Sequence, residues 1–482
     1  MSQLLAGRGQ RIAVAAAVVA GVALAVPAAT AGRPALPAVS GTAAGQVPTS
    51  PTAAPIPATT RPAAPDSVPG EVLVGYEPGA SAAARGLARG RVGARLVEQV
   101  ASGAGKARQV ELLRLPEAMN RGQAKHRLAA DPAVAYVEPN WIYREQATSS
   151  DPYFTDGSLW GMYGRRSDPA NRFGSNAAAA WAAGQTGSAR VYVGVIDEGI
   201  QVSHPDLSRR VRNPGETANG VDDDKNGYVD DVHGWDFSGN DKKVYDGGML
   251  GLADNHGTHV AGTIGARAND AGVVGVNWNV RMISAKFLTS DGGKASDAVR
   301  AIDYFTDLKV NHGVNVVATN NSWGGGGYSQ ALRDAIERAN RAGILFVAAA
   351  GNGGIDGIGD DNDTTPSYPA TYGNRNVISV AAITRTGALA TFSNYGLSGV
   401  DIGAPGQDIA STTAYDSYSF YSGTSMATPH VAGAVALYAA AHPEASSAAI
   451  KSALLDSAVP TASLSGITVT GGRLDINAAL TR

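Results

Sequence analysis

The sequence predicts an α/β protein: a small α/β sandwich followed by a larger domain of three layers built around a central, mainly parallel sheet. Three observations lead there. Val191-Tyr192-Val193-Gly194-Val195-Ile196 is a continuous, mostly β-branched run that closes on Asp197, the pattern of a parallel strand buried on both faces. Short strand-like runs at 280–287, 314–319, 343–349 and 377–381 alternate with helical segments, as helices layered on a parallel sheet require. Residues 66–144 alternate strand-like and helix-like segments, two β-α-β-type units of a small sandwich.

In chain order, residues 1–31 read as an export signal. Arg8 and Arg11 precede an apolar run from Ile12 to Val26, and Ala29-Thr30-Ala31 offers small residues for cleavage. That run is shorter than the roughly 20 residues that span a bilayer. The expectation is a secreted, extracellular protein with no stable membrane anchor. Residues 32–65 are rich in Pro, Ala and Thr with almost no charge, a composition expected to remain a disordered linker. The sandwich, 66–145, is expected to place strands at 71–76, 109–115 and 134–139 and helices at 80–89 and 119–130.

Composition narrows function. The 482 residues carry 39 Lys+Arg against 42 Asp+Glu, a net charge of −3, which supplies no basic field for nucleic acid. The chain has no cysteine, which excludes disulfides, thiol catalysis and thiolate zinc sites. Stability outside a cell then needs another device, and bound structural calcium is the expected one.

Three segments carry chemistry. Asp197 stands at the carboxyl end of its strand, where functional side chains of open α/β sheets gather. Asn255 to Ile264 begins with a polar cap and turns apolar at helical spacing, with His256 in the first turn and His259 one turn on. A zinc pair needs His-Glu-x-x-His at i and i+4, whereas this spacing is i and i+3 without the Glu. Ser422-Gly423-Thr424-Ser425 opens a long apolar helix, whose free N–H groups and dipole favour an oxyanion at Ser425. A serine there is also a common cap. As a nucleophile it needs an adjacent base, and the base an orienting carboxylate.

Asp197, His256 and Ser425 follow in the order Asp…His…Ser that subtilisin uses. The segments Val195 to Ile200, His256 to Thr263 and Gly423 to Gly433 resemble the signature blocks of the subtilisin-like, thermitase-like serine proteases. The resemblance covers 151–482, and the sandwich before it is similar to that family's inhibitory propeptide. It implies that Asp197 orients the imidazolium, that His256 is base and then acid, and that Ser425 forms an acyl-enzyme. By the same resemblance Asn352, after the strand-like 343–349, donates to the oxyanion. Ser322-Trp323-Gly324 and Gly292-Gly293 would flank an extended peptide by β-strand addition, and Ser367 would lie at the floor of a wide primary pocket. With no carboxylate expected in that pocket, the preference is for aromatic residues or Leu within a broad specificity. The acidic loop from Asp356 to Asp363 is close in sequence. Partners are then protein or peptide substrates and the chain's own propeptide, removed autocatalytically between Asn140 and Ser150 from a monomeric zymogen.

Two calcium sites are expected. Asp222, Asp224, Asn226, the Tyr228 carbonyl and Asp230 or Asp231 place oxygens at near-alternate positions around Gly227, like the start of an EF-hand loop without its closing Glu. The family resemblance implies the second, with Asp151, Asp206 and Asn269 and the carbonyls of Arg267, Ala271 and Val273. Two rivals remain. An α/β-hydrolase would use Gly423-x-Ser425-x-Ala427, but needs its Asp and His after the Ser. An inactive scaffold would bind peptides through the same cleft without cutting them.

Overall fold

In a computed structural model the described residues are 67–102, 108–141, 149–247, 254–354 and 356–482. The expected export signal and linker lie outside them, as does 142–148, where most of the expected processing bonds fall.

The small domain consists of β1 (Ser67–Tyr76), α1 (Ala82–Arg91), β2 (Arg95–Ser102), β3 (Gln109–Arg114), α2 (Arg121–Ala129) and β4 (Val134–Trp141). Its strands form an antiparallel sheet in the order β2-β3-β1-β4. Ala88 of α1 and Ala124 and Leu128 of α2 pack with Val72, Val74, Tyr76 and Leu113 in one core. Glu111 is buried in that domain and accepts from Tyr76 Oη (2.9 Å), Arg85 Nε (3.1 Å) and an Arg89 guanidinium nitrogen (2.7 Å), so its charge is paired rather than orphaned. The sequence reading missed β2. Leu96, Val97 and Val100 are 41%, 43% and 52% exposed, and an edge strand with no buried face leaves no alternation to read.

The larger domain runs through α3 (Pro152–Thr155), α4 (Ala177–Ala182), β5 (Tyr192–Asp197), β6 (Gly234–Asp236), α5 (Asn255–Gly265), β7 (Arg281–Lys286), β8 (Leu288–Thr289), β9 (Gly292–Gly293) and α6 (Ala295–Val310). It continues with β10 (Val316–Asn321), α7 (Gln330–Arg341), β11 (Leu345–Ala349), β12 (Val377–Ile383), β13 (Ile402–Pro405), β14 (Ile409–Thr413) and β15 (Ser417–Tyr421). It closes with α8 (Thr424–Ala441), α9 (Ser447–Asp456), β16 (Val459–Pro460), β17 (Gly472–Arg473) and α10 (Ile476–Leu480).

Nine strands form one sheet in the order β16-β17-β13-β12-β11-β10-β5-β7-β6, parallel except at β16. Each expected strand run has its strand. Alternate residues of β5 divide the core: Val193 and Val195 pack with Val260 and Ile264 of α5 and Val431 and Val435 of α8. Ile196 packs with Ile302 and Phe305 of α6 and Ile336 of α7 on the other face. This is the three-layer arrangement. Nearly every residue of α8 is buried, which explains why its sequence is apolar on all sides. Parallel strands all end at one edge of the sheet, and there β5, β10 and β11 deliver Asp197, Asn321 and the turn to Asn352.

Candidate active site

Asp197 is 1% exposed. Its Oδ1 accepts from His256 Nδ1 at 2.9 Å and from the Glu198 N–H at 2.8 Å, while Oδ2 is buried with no partner among the described residues. The approach of α5 to this carboxylate depends on Gly257. A Cβ there would collide with the Gly199 carbonyl and lie 3.1 Å from Asp197 Oδ1. Glu198 carries a role the sequence reading missed: its Oε1 takes the His256 backbone N–H at 2.6 Å, satisfying an orphan donor of the first helical turn. Buried Lys286 donates to the Glu198 carbonyl and to Asp254 at the start of α5, tying the end of β5 to that helix.

Burial pulls the His256 imidazole down, but the Asp197 charge and hydrogen bond, then the Glu198 charge, outweigh it and push its pKa up to about 8. Burial and the Asp197 charge raise the Glu198 carboxyl to about 7. His259 behaves oppositely. Its Nε2 lies 2.9 Å from the Ile409 carbonyl, its ring stacks on Tyr421 at 4.6 Å, and burial pushes its pKa down to about 3. It is a core histidine whose Nε2 is spent on the Ile409 and Ser419 carbonyls, while His256 Nδ1 is spent on Asp197.

Ser425 lies in the first turn of α8, and its Oγ donates to the Ser322 carbonyl at 3.1 Å; among the described residues it makes no bond to His256. Such bonds often tighten only when substrate is present, and a χ1 rotation re-aims the hydroxyl. Pro429 lacks the N–H that would bond the Ser425 carbonyl, four residues back. That carbonyl takes the Ser322 hydroxyl instead, at 2.8 Å; the Ser322 side chain is thus turned inward and the residue is buried, while its own carbonyl faces Ser425 Oγ.

Asn352 Oδ1 accepts from the Thr424 N–H (2.8 Å) and hydroxyl (2.9 Å), and among the described residues its Nδ2 has no acceptor. A Cβ on Gly423 would sit 3.5 Å from Asn352 Nδ2 and 3.6 Å from the Ser425 nitrogen; the glycine keeps open a space served by both donors. Asn320 and Asn321, two further asparagines at the end of β10, spend their amides on Ser322 and on the Thr319 and Val347 carbonyls.

Gly292, Gly293, Trp323 and Gly324 line one groove of about 430 Å³, and Trp323 is held edge-on against Phe287 at 4.9 Å. A second pocket of about 370 Å³ joins Ser425 and Asn352 to Gly324, Ser367 and Asp360. Here the sequence reading needs correction. It expected no carboxylate in this pocket, but the loop folds Asp360 into its wall. A larger cavity of about 610 Å³, at Arg165, Arg172 and Arg473, contains none of the candidate residues.

The first calcium set is rearranged. Asp224 and Asp231 come together with Glu216, each offering an oxygen within 4.8 Å of the others, and the Asn226 amide reaches both aspartates. Glu216 is 1% exposed with Oε2 unpartnered; sequence reading missed it because it precedes the acidic run. Asp222 instead caps the Asn226 and Gly227 N–H groups. Asp230 pairs with Lys242 at 2.7 Å, and the Tyr228 ring packs on Trp235, Phe237 and Tyr304. In the second set the side chains of Asp151, Asp206 and Asn269 are linked through one loop. Asp151 Oδ1 takes the N–H groups of Asn269 and Ala271, and Asp206 takes the Asn269 amide and the Val273 N–H. Asn269 Oδ1 is buried without a partner. Both sets offer carboxylate and amide oxygens, two of which, Glu216 Oε2 and Asn269 Oδ1, have no hydrogen-bond partner among the described residues, which suits a hard cation such as calcium.

Fold and sequence comparison together define a serine protease of α/β architecture. Residues 188–474 match the Subtilase family and residues 53–140 the fervidolysin N-terminal prodomain. The chain belongs to the subtilase family. It is 36% identical over 333 residues to subtilisin amylosacchariticus of Bacillus subtilis subsp. amylosacchariticus, covering 69% of this chain and 72% of that protein. It is also 36% identical over 311 residues to a thermophilic serine proteinase of Bacillus sp. (strain AK1), the match spanning 64% of each. A solved protease structure from Pseudoalteromonas arctica PAMC 21717 aligns with TM-score 0.54 and 30% identity over 69% of this chain and 99% of that one.

Proposed function

We propose that the chain is a secreted, calcium-binding serine endopeptidase of broad specificity, made as a zymogen and acting as a monomer through Asp197, His256 and Ser425. The observation that carries it is the 2.9 Å bond from His256 Nδ1 to buried Asp197, together with a serine in the first turn of α8 that shares a pocket with Asn352. His256 Nε2 takes the Ser425 proton as Oγ bonds to the scissile carbonyl carbon. The oxyanion is held by Asn352 Nδ2 and the Ser425 N–H. His256 then protonates the leaving amine as the C–N bond breaks, and water, deprotonated by the same imidazole, hydrolyses the acyl-enzyme. Residues 66–145 are the inhibitory propeptide of this reading, and 151–482 the enzyme. Among the described residues no helix is long and apolar enough to cross a membrane.

The test is casein hydrolysis, labelling by a serine-reactive phosphonate, and intact mass, for the exported protein and Ser425→Ala. Wild type should label, cut casein and shorten itself, and the variant should do none of these. A wild-type protein that takes no label would be a peptide-binding scaffold.

Calcium is expected to stabilise by mass action, about 2.7 kcal/mol for a site at a hundred-fold excess over Kd. EDTA should therefore shorten the half-life at elevated temperature several-fold. Glu216→Gln should remove part of that response, and an EDTA effect identical in variant and wild type would count against Glu216 as a ligand.

A further inference from the structure

Resting on the reading of Ser425 as nucleophile, we infer that, within a broad specificity, the adjoining pocket favours Arg or Lys immediately before the cleaved bond, through the carboxylate of Asp360. The pocket wall is largely backbone, with Gly324, Gly351 and Gly353 exposing no side chain, and among the described residues Asp360 is the only charged one lining it. The residue is held firmly by its main chain. Its N–H donates to Asn394 Oδ1 at 3.0 Å, the oxygen that also takes the Gly353 N–H at 2.7 Å, and its carbonyl accepts from the Tyr395 N–H at 3.0 Å.

The loop's other acids are committed. Asp356 caps the Ile358 N–H, Asp361 that of Asp363, and Asp363 those of Ser398 and Gly399. Asp360 differs: among the described residues its carboxylate accepts no hydrogen bond and pairs with no cation. A half-buried carboxylate in a concave, glycine-walled site is screened less than a surface charge. It fits a long side chain whose apolar stem lies along the glycines and whose cationic head reaches the far wall. The aromatic or Leu preference expected from the sequence rested on an uncharged pocket, which this is not.

The test uses the processed wild-type enzyme in calcium and a series of peptidyl anilides that differ only in the residue before the bond: Arg, Lys, citrulline, Leu and Phe. Citrulline matches Arg in shape without its charge. Arg and Lys should exceed citrulline and Leu by about tenfold in kcat/KM, the size of one partly desolvated charge pair, and added salt should shrink the ratio. Asp360→Asn should bring the Arg/citrulline ratio close to one. A wild-type ratio near one, Leu or Phe ahead of Arg, or a ratio that survives Asp360→Asn would overturn the assignment. Should the variant fail to fold, the wild-type Arg/citrulline comparison decides alone. Hydrolysis of none of the five by a protein that also takes no phosphonate label would instead overturn the nucleophile reading, and this inference with it.

Discussion

Replacing His256 with Ala is expected to lower kcat by roughly 10⁶, because a base, a nucleophile and an orienting carboxylate act as one unit. Asp197→Asn should cost about 10⁴. The smaller loss has a geometric reason. Asp197 Oδ1 accepts from His256 Nδ1, which favours the Nδ1–H tautomer and leaves Nε2 its lone pair, and an amide can present a donor there and favour the wrong tautomer. A retained activity within tenfold for either variant would remove that residue from the proposed machinery.

The same pair sets the pH dependence. His256 acts as a base only when neutral, so with a pKa pushed up to about 8, kcat/KM should rise with pH through that value. Glu198→Gln takes away one of the negative charges that raise it, and the midpoint should move to lower pH; an unmoved midpoint would show that Glu198 only caps the helix. Stability has the opposite sign. A group whose folded pKa lies above its unfolded value, near 6.5, contributes fully below pH 6.5, and that contribution is lost as pH rises through about 8.

What could be read from the sequence was what is encoded locally. Asp197, His256 and Ser425 each sit in a run whose strand end or helix start is visible in its own neighbours, so their elements and edge of the sheet were legible. Residues placed by distant chain were not. Glu216 joins Asp224 and Asp231 through the fold of an intervening turn, and Asp360 enters the pocket because Asn394, 34 residues on, holds its backbone. Asp230 left the expected ligand set for the same kind of reason: Lys242 comes within 2.7 Å, an ion pair no local spacing announces. The hairpin of β14 and β15 was missed too, although its carbonyls hold the His259 ring.

Asn352 offers the sharpest separation of binding from chemistry. In the proposed mechanism its Nδ2 serves a charge that exists only in the transition state, so Asn352→Ala should lower kcat by about 10²–10³ while KM changes little. The alanine variant also deletes the acceptor for the Thr424 N–H and hydroxyl, and a loosened first turn of α8 could mimic the effect. Asn352→Asp resolves this, because it keeps an acceptor for Thr424 but places a carboxylate oxygen where the donor stood. If the donor matters, the aspartate variant should be at least as impaired as the alanine one, since like charge then faces the oxyanion. If Asn352 serves only to pin the helix, aspartate should restore most of the activity. Thr424→Val gives the complementary result: it removes one of the two bonds to Oδ1, leaves Nδ2 and the Ser425 N–H in place, and should cost far less than either change at Asn352.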